Sequence, residues 1–289
     1  MKKNLSVLGI LTASILFGFA YSVQAIGGKQ LDPFSFNIGK YVIAVLTTLP
    51  FIFKKTNTSR KDEIIYGIVV GLLLFGFSYL QQVVTKDTTP GKVGFITSLY
   101  IVEVPLINFI FFKKKIGPQT GISLILSLIG LVLLCDLRGF SFRLSDLLII
   151  ICSLLLAAQI TVVGKCCLNC DPFKLNFYSF IFILLLSTIG YFISGETVTM
   201  TNFVDAIWPI IYVGFGCSTV ACVLQAQCQK TLDTTTTSLL LSLQSVFSVI
   251  SGYLLLHQSL SEKELIGCAL MFIGVILCVT DKGPKKKNS

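Results

Sequence analysis

Ten stretches of this chain run apolar for close to twenty residues each. They fall at approximately 5–26, 34–53, 64–84, 93–112, 118–135, 145–164, 173–193, 206–228, 237–256 and 264–280. An α-helix rises 1.5 Å per residue, so ~20 residues cross the hydrocarbon core of a bilayer, about 30 Å thick. Lipid offers the backbone no hydrogen-bond partners, and a helix satisfies its own N–H and C=O groups. The expected fold class is therefore an all-α integral membrane protein with ten transmembrane helices. The connections are too short to hold a soluble domain. Composition agrees: 13% of the residues are charged, against about 25% in a soluble domain, and the mean hydropathy is +0.84.

The charges are bunched between the apolar runs, as at Lys54–Lys61, Lys113–Lys115 and Lys282–Lys287. No basic face with interleaved aromatics accompanies the net charge of +9, so nucleic acid is not an expected partner. Basic loops beside an anionic leaflet account for the same charge. With the N-terminus placed in the cytoplasm, sixteen Lys and Arg fall in cytoplasmic segments. Six fall outside: Lys29, Lys86, Lys92, Arg138, Arg143 and Lys263. The remaining one, Lys40, lies within the second run. This bias puts both termini in the cytoplasm of a multi-pass protein.

Ten cysteines would mean a disulfide framework in a small secreted protein. Here most, including Cys135, Cys152, Cys217, Cys222, Cys228, Cys268 and Cys278, sit in apolar runs, where a thiol acts as a small hydrophobe. Cys166, Cys167 and Cys170 cluster in a loop without a fourth ligand nearby, and reduced thiols are the expectation there. No metal and no cofactor is expected.

The pattern Asp-Pro-Phe-x-x-Asn occurs twice, at Asp32–Asn37 and Asp171–Asn176. Proline suits the first position of a helix, and the preceding Asp can accept a backbone N–H as its cap. Other marks follow in the same order. Gln81…Asp87-Thr88-Thr89 matches Gln227…Asp233-Thr234-Thr235, Ser98-Leu99 matches Ser242-Leu243, and Ile129-Gly130 matches Ile273-Gly274. The chain thus divides into a repeat at 1–138, a second at 139–281 and a basic tail at 282–289. Five crossings per half oblige the second copy to enter from the opposite face, giving two inverted five-helix repeats. The Lys2-Lys3 start, apolar run and Val23-Gln24-Ala25 also fit a cleavable leader. The repeat argues instead for a retained first helix, the partner of the sixth. Inverted halves that trade conformations open a central site to each side in turn, which points to transport.

The stretch Thr88–Ile107 resembles the fourth helix of the drug/metabolite transporter superfamily, EamA type, and Ser238–Leu277 resembles its ninth and tenth helices. The likeness covers nearly the whole chain. It implies export or uptake of small metabolites, often amino acids or related polar or amphipathic solutes, across the plasma membrane, with no enzyme activity. Two positions depart from that family's pattern: Gln244-Ser245 stands where Glu-Pro is frequent, and His257-Gln258 where Gly-Glu is.

Ionisable side chains inside a span are costly, roughly 2.5–3.5 kcal/mol on insertion scales, and usually functional. Glu103 is expected near mid-membrane as a proton carrier or a ligand for a substrate amine, or else as the charge partner of Lys40. Lys40 lies about 9 Å into the second run. Pro105 is a candidate kink. Polar stripes at helical spacing comprise Phe17, Ala20, Tyr21 and Gln24; Phe75, Ser78, Tyr79 and Gln82; and Ser218, Ala221, Cys222 and Gln225. Gln159 and Gln244 are lone amides. The candidate substrate-binding set is Glu103, Tyr21, Gln24, Tyr79, Gln82, Gln159, Gln225 and Gln244; buried amides need partners, and these either touch substrate or one another. Gly67 and Gly71 permit close helix packing, and His257 is expected at the external surface. No phosphate-binding loop for ATP is found. An intramembrane enzyme would need a clustered catalytic set, which the sequence lacks. A non-transporting scaffold or receptor subunit is the alternative function. Expected partners are a small-molecule substrate, lipid and protons as candidate coupling ion, with a monomer expected and a dimer as the other option.

Overall fold

The computed structural model describes residues 3–87, 90–113, 116–134, 144–195, 197–257 and 261–280. Thr88, Thr89, Lys114, Lys115, Cys135, Arg138, Arg143, Gln258 and the basic 282–289 tail lie outside them. Among the described residues, nine helices are long and apolar enough to cross a membrane, and Pro118–Leu134 is a shorter apolar tenth. The protein is an all-α, multi-pass membrane protein. Spans one to three are Lys3–Gly27, Pro33–Ile52 and Arg60–Asp87. Span four consists of Pro90–Thr97 and Tyr100–Phe112, and span five is Pro118–Leu134. Spans six to ten are Leu144–Cys166, Pro172–Ser194, Ile207–Cys228, Thr234–Leu256 and Glu262–Thr280.

Turn chemistry starts the matching spans two and seven. Pro33 and Pro172 open them, each after an Asp of extended backbone, φ −72° at Asp32 and −76° at Asp171. The Asp171 carboxylate accepts the N–H of Phe173 at 3.0 Å and of Lys174 at 3.2 Å, satisfying two donors that a helix start leaves over.

Spans four and nine share an interruption. Each has eight residues of helix, a two-residue break and thirteen more residues of helix. The breaks fall at Ser98-Leu99 and Ser242-Leu243, where bonds tighten to three-residue spacing: Leu99 N–H to Ile96 O at 3.1 Å, Leu243 N–H to Leu240 O at 3.3 Å. Both spans end on a left-handed residue, Lys113 (φ 51°) and His257 (φ 54°). Pro105, the candidate kink, lies six residues beyond the span-four break. The helix runs on through Pro105, and span nine breaks at the matching place without a proline, so the proline does not cause the break.

Span eight carries a different irregularity, a wide-turned π-helix over Tyr212–Ala221. Thr219 Oγ1 donates to Gly214 O, five residues back, at 3.2 Å. Gly214 lies against the span-two backbone, and an added Cβ there would fall 2.6 Å from Lys40 O.

Packing follows the repeat. Span one lies against nine and eight, and span six against four and three; span two meets eight and seven, and span seven meets three and two. Spans five and ten pack on each other. Spans two and seven run antiparallel, as do spans five and ten. Phe51 stacks on Phe173 at 4.0 Å at one end of the two–seven pair, and Phe34 covers Gly190 at the other. In the five–ten pair, Gly130 and Gly267 each face the other's carbonyl, where a Cβ would sit 2.7 and 2.6 Å away. Gly274 repeats this against Ser123 O. Gly67 and Gly71 press similarly on the span-seven backbone. Large apolar side chains such as Leu106, Phe109, Ile110, Leu185, Ile189 and Phe192 remain on the outside, as a lipid-facing belt requires.

Candidate functional site

The spans line a central cavity of about 70 Å³, within a wider unfilled space of about 690 Å³ that includes open solvent. Span one contributes Phe17, Ala20, Tyr21 and Gln24; span two, Lys40 and Tyr41; span three, Leu74, Phe77, Ser78 and Gln81. Tyr100 of span four, Leu156, Gln159 and Ile160 of span six, and Leu241 and Gln244 of span nine complete much of the wall. Val213, Cys217, Ser218, Cys222 and Gln225 enter from span eight. Tyr100 and Gln244 are the first residues after the two helix breaks, so both breaks reach the cavity wall, their N–H groups bonded along the span at three- and four-residue spacing.

Lys40 is 3% exposed; among the described residues it is the only basic side chain on the cavity wall, and no carboxylate lines that wall. Its Nζ donates to Ser78 Oγ at 2.6 Å, and Ser78 Oγ donates to Asn37 Oδ1 at 2.8 Å. The same nitrogen lies 5.2 Å from the Tyr41 ring centre and 5.6 Å from that of Phe36, within cation–π range. The groups that hold the Lys40 amino group in place are all neutral. Elsewhere on the wall, Gln225 Nε2 donates to Gln159 Oε1 at 3.2 Å. Among the described residues, three buried polar atoms of the lining have no hydrogen-bond partner: Gln24 Oε1, Gln244 Nε2 and Tyr100 Oη. A buried polar atom left unmet costs about 1–3 kcal/mol, so such atoms call for water or a ligand.

Of the residues singled out from the sequence, Tyr21, Gln24, Lys40, Gln159, Gln225 and Gln244 meet at this cavity. Glu103, Tyr79, Gln82 and Pro105 lie off its wall. The Glu103 carboxylate accepts a hydrogen bond from Ser153 of span six, and no ion pair joins it to Lys40 among the described residues. Tyr79 stacks on Phe34 at 4.4 Å. Gln82 is buried and reaches back to Gln24 O at 3.4 Å. The reason is rotational: span three turns Leu74, Phe77, Ser78 and Gln81 inward, so Phe75, Tyr79 and Gln82 lie about 100° around the helix. Gln81, Tyr41, Tyr100 and Asn37 were not among the candidates. Gln81 and Asn37 carried a signal nonetheless, because both belong to the repeated marks.

Among the described residues no three His, Cys, Asp or Glu side chains are placed to hold a metal. Cys166, at the end of span six, and Cys167 and Cys170, in the turn before Asp171, are free and buried. His257 caps the end of span nine.

The sequence model of the EamA-like transporter family matches this chain twice, over residues 4–135 and 143–280. The chain belongs to the EamA-like transporter family. This EamA-like protein is 26% identical over 279 residues to an uncharacterized transporter of Archaeoglobus fulgidus, covering 96% of this chain and 86% of that one. It is 25% identical over 284 residues to an uncharacterized transporter of Clostridium kluyveri, covering 91% and 90%. A solved crystal structure shares the fold with a TM-score of 0.75 at 16% sequence identity, over 96% of each chain.

Proposed function

We propose that this EamA-like transporter is a secondary active carrier for a small amphipathic solute with an anionic group, such as the carboxylate of an amino acid. It would work by alternating access across the plasma membrane, with both termini in the cytoplasm. The observation that carries the reading is Lys40, a cation buried in the cavity without a carboxylate to neutralise it. A lone charge in a low-dielectric interior is costly, and an anionic ligand supplies the missing partner. The aromatic faces of Phe17 and Tyr21 and the free Gln24 Oε1 suit the body and ammonium end of an amino acid.

Alternating access rests on the two repeats being inverted, which the antiparallel packing of like spans supports. Epitope tags beside Asp32 and Asp171 are expected to be reached from opposite sides of the membrane; labelling of both from one side would remove this basis. One chain encloses a whole cavity, so a monomer suffices. Glu103, beside Ser153 rather than on the wall, is the candidate for proton coupling. Glu103→Gln should flatten the dependence of flux on pH without lowering protein level. An unaltered profile would assign coupling elsewhere.

The substrate test is counterflow in proteoliposomes with matched amino acids and their carboxamides. The acids should exchange and the amides should not. Equal exchange of both would reject the anionic reading, while failure of every solute would favour a scaffold.

A further inference from the structure

The 53–63 link, made of residues 53–59 and the first turn of span three, folds over the first turn of span seven. Lys174 Nζ donates to Thr56 Oγ1 at 2.7 Å, and the Asp171 backbone N–H donates to Glu63 Oε1 at 3.2 Å. Beside these two ties lies a second cavity, about 1090 Å³ of unfilled space that includes its opening to solvent. Lys54, Lys55, Arg60 and Lys174 line it, together with Glu63, and Ile52 and Phe53 form its apolar edge.

Four cations thus face one carboxylate, and that carboxylate is already engaged. Glu63 is 1% exposed and also accepts the Thr58 hydroxyl. Asp171, the neighbouring acid, turns its side chain onto its own helix start. Among the described residues, the side chains of Lys54, Lys55 and Arg60 have no hydrogen-bond or ion-pair partner. The 53–63 link therefore holds several like charges around one concavity, an arrangement that an anion stabilises.

The level in the membrane narrows the choice of anion. Span two has 20 residues, about 30 Å of helix, so its end at Ile52 meets the headgroup layer. Phe53 is 81% exposed at the rim, next to the Phe51–Phe173 stack, and offers an apolar lip beside the charges. A ligand that is phosphate at one end and hydrocarbon at the other fits both features. Arginine suits its oxygens because the guanidinium fork can bond two at once.

We propose that this pocket binds the phosphate of an anionic phospholipid headgroup, on the face that the charge bias assigns to the cytoplasm. Lys54, Lys55 and Arg60 hold the phosphate, and the lipid ties the 53–63 link to the start of span seven. The site is separate from the central cavity and does not depend on what that cavity carries.

The test uses the full chain in phosphatidylcholine nanodiscs, with and without phosphatidylglycerol, and counts retained phosphatidylglycerol by native mass spectrometry. At about 1 kcal/mol per surface cation, the triple variant Lys54→Gln, Lys55→Gln, Arg60→Gln should weaken retention on the order of a hundredfold. The control Lys113→Gln, Lys165→Gln, Lys230→Gln removes three cations from the same face and should stay within twofold. Lys54→Arg with Lys55→Arg should retain the lipid. Thermal midpoints in phosphatidylcholine alone report whether each variant folds. Equal losses in triple variant and control, or loss in neither, would overturn the site. A midpoint raised by inorganic phosphate in phosphatidylcholine alone, as far as by phosphatidylglycerol, would give the pocket to a soluble anion and overturn the lipid assignment.

Discussion

Spans two and seven begin with the same Asp-Pro-Phe turn, pack against each other antiparallel, and then diverge. Counted from that turn, Lys40 of span two occupies the place of Ser179 in span seven. Lys40 reaches the central cavity and bonds Ser78. Ser179 returns its hydroxyl to Leu175 O in its own helix at 2.9 Å. The motif's asparagines differ likewise: Asn37 accepts from Ser78, while Asn176 donates to Pro172 O at 2.8 Å. Span seven lends no residue to the cavity wall, and its Phe180 and Ile183 pack into an apolar cluster with Tyr41 and Val70. The duplicated turns and seams keep the scaffold symmetric, while the chemistry is carried by one copy.

The sharpest break in this comparison is at Lys40. Lys40→Gln should weaken binding of a carboxylate solute by at least a hundredfold, about 3–5 kcal/mol for a buried pair losing one partner. Ser179→Ala, the matching change in span seven, should leave binding within twofold. Both are read by substrate-dependent thermal shift and by counterflow; similar losses in the two variants would erase the functional asymmetry. A middle-sized effect is expected at Gln244→Leu. Its Nε2 is buried without a partner, so removing the amide should hold or raise the unfolding temperature while weakening the solute about tenfold. A drop in both would make Gln244 structural. The smallest effect concerns the shared turn. Asp171→Ala should cost about 1 kcal/mol of stability through two lost cap bonds, with transport affinity unchanged. Circular-dichroism melting in detergent measures the first and counterflow the second.

Much of the scaffold could be read from the sequence because its determinants are local. Hydropathy marks each crossing over its own twenty residues, and the Asp-Pro turns mark helix starts. The pairing of Ser98-Leu99 with Ser242-Leu243 was legible as a repeat, yet not as a helix break, because neither dipeptide is a helix breaker by composition. Rotation about the helix axis was the hardest quantity. Spans apolar on nearly every side give little indication of which face turns inward. Depth along span four marked Glu103, but the side chain points toward Ser153 of span six. On span three, Gln81 and Gln82 are adjacent, and packing against spans one and six decides which of them meets the cavity. Lys40 could be found because a lone cation in an apolar run needs no rotation to be conspicuous.

The wide-turned segment of span eight has one more implication. An α-helix turns about 100° per residue, so winding that segment back into ordinary α-turns would swivel everything below it relative to everything above. Cys217 and Ser218 sit within the segment and Gln225 beyond it. A single helix thereby holds part of the cavity lining on a built-in swivel, able to re-aim side chains with no change in how the neighbouring helices are threaded.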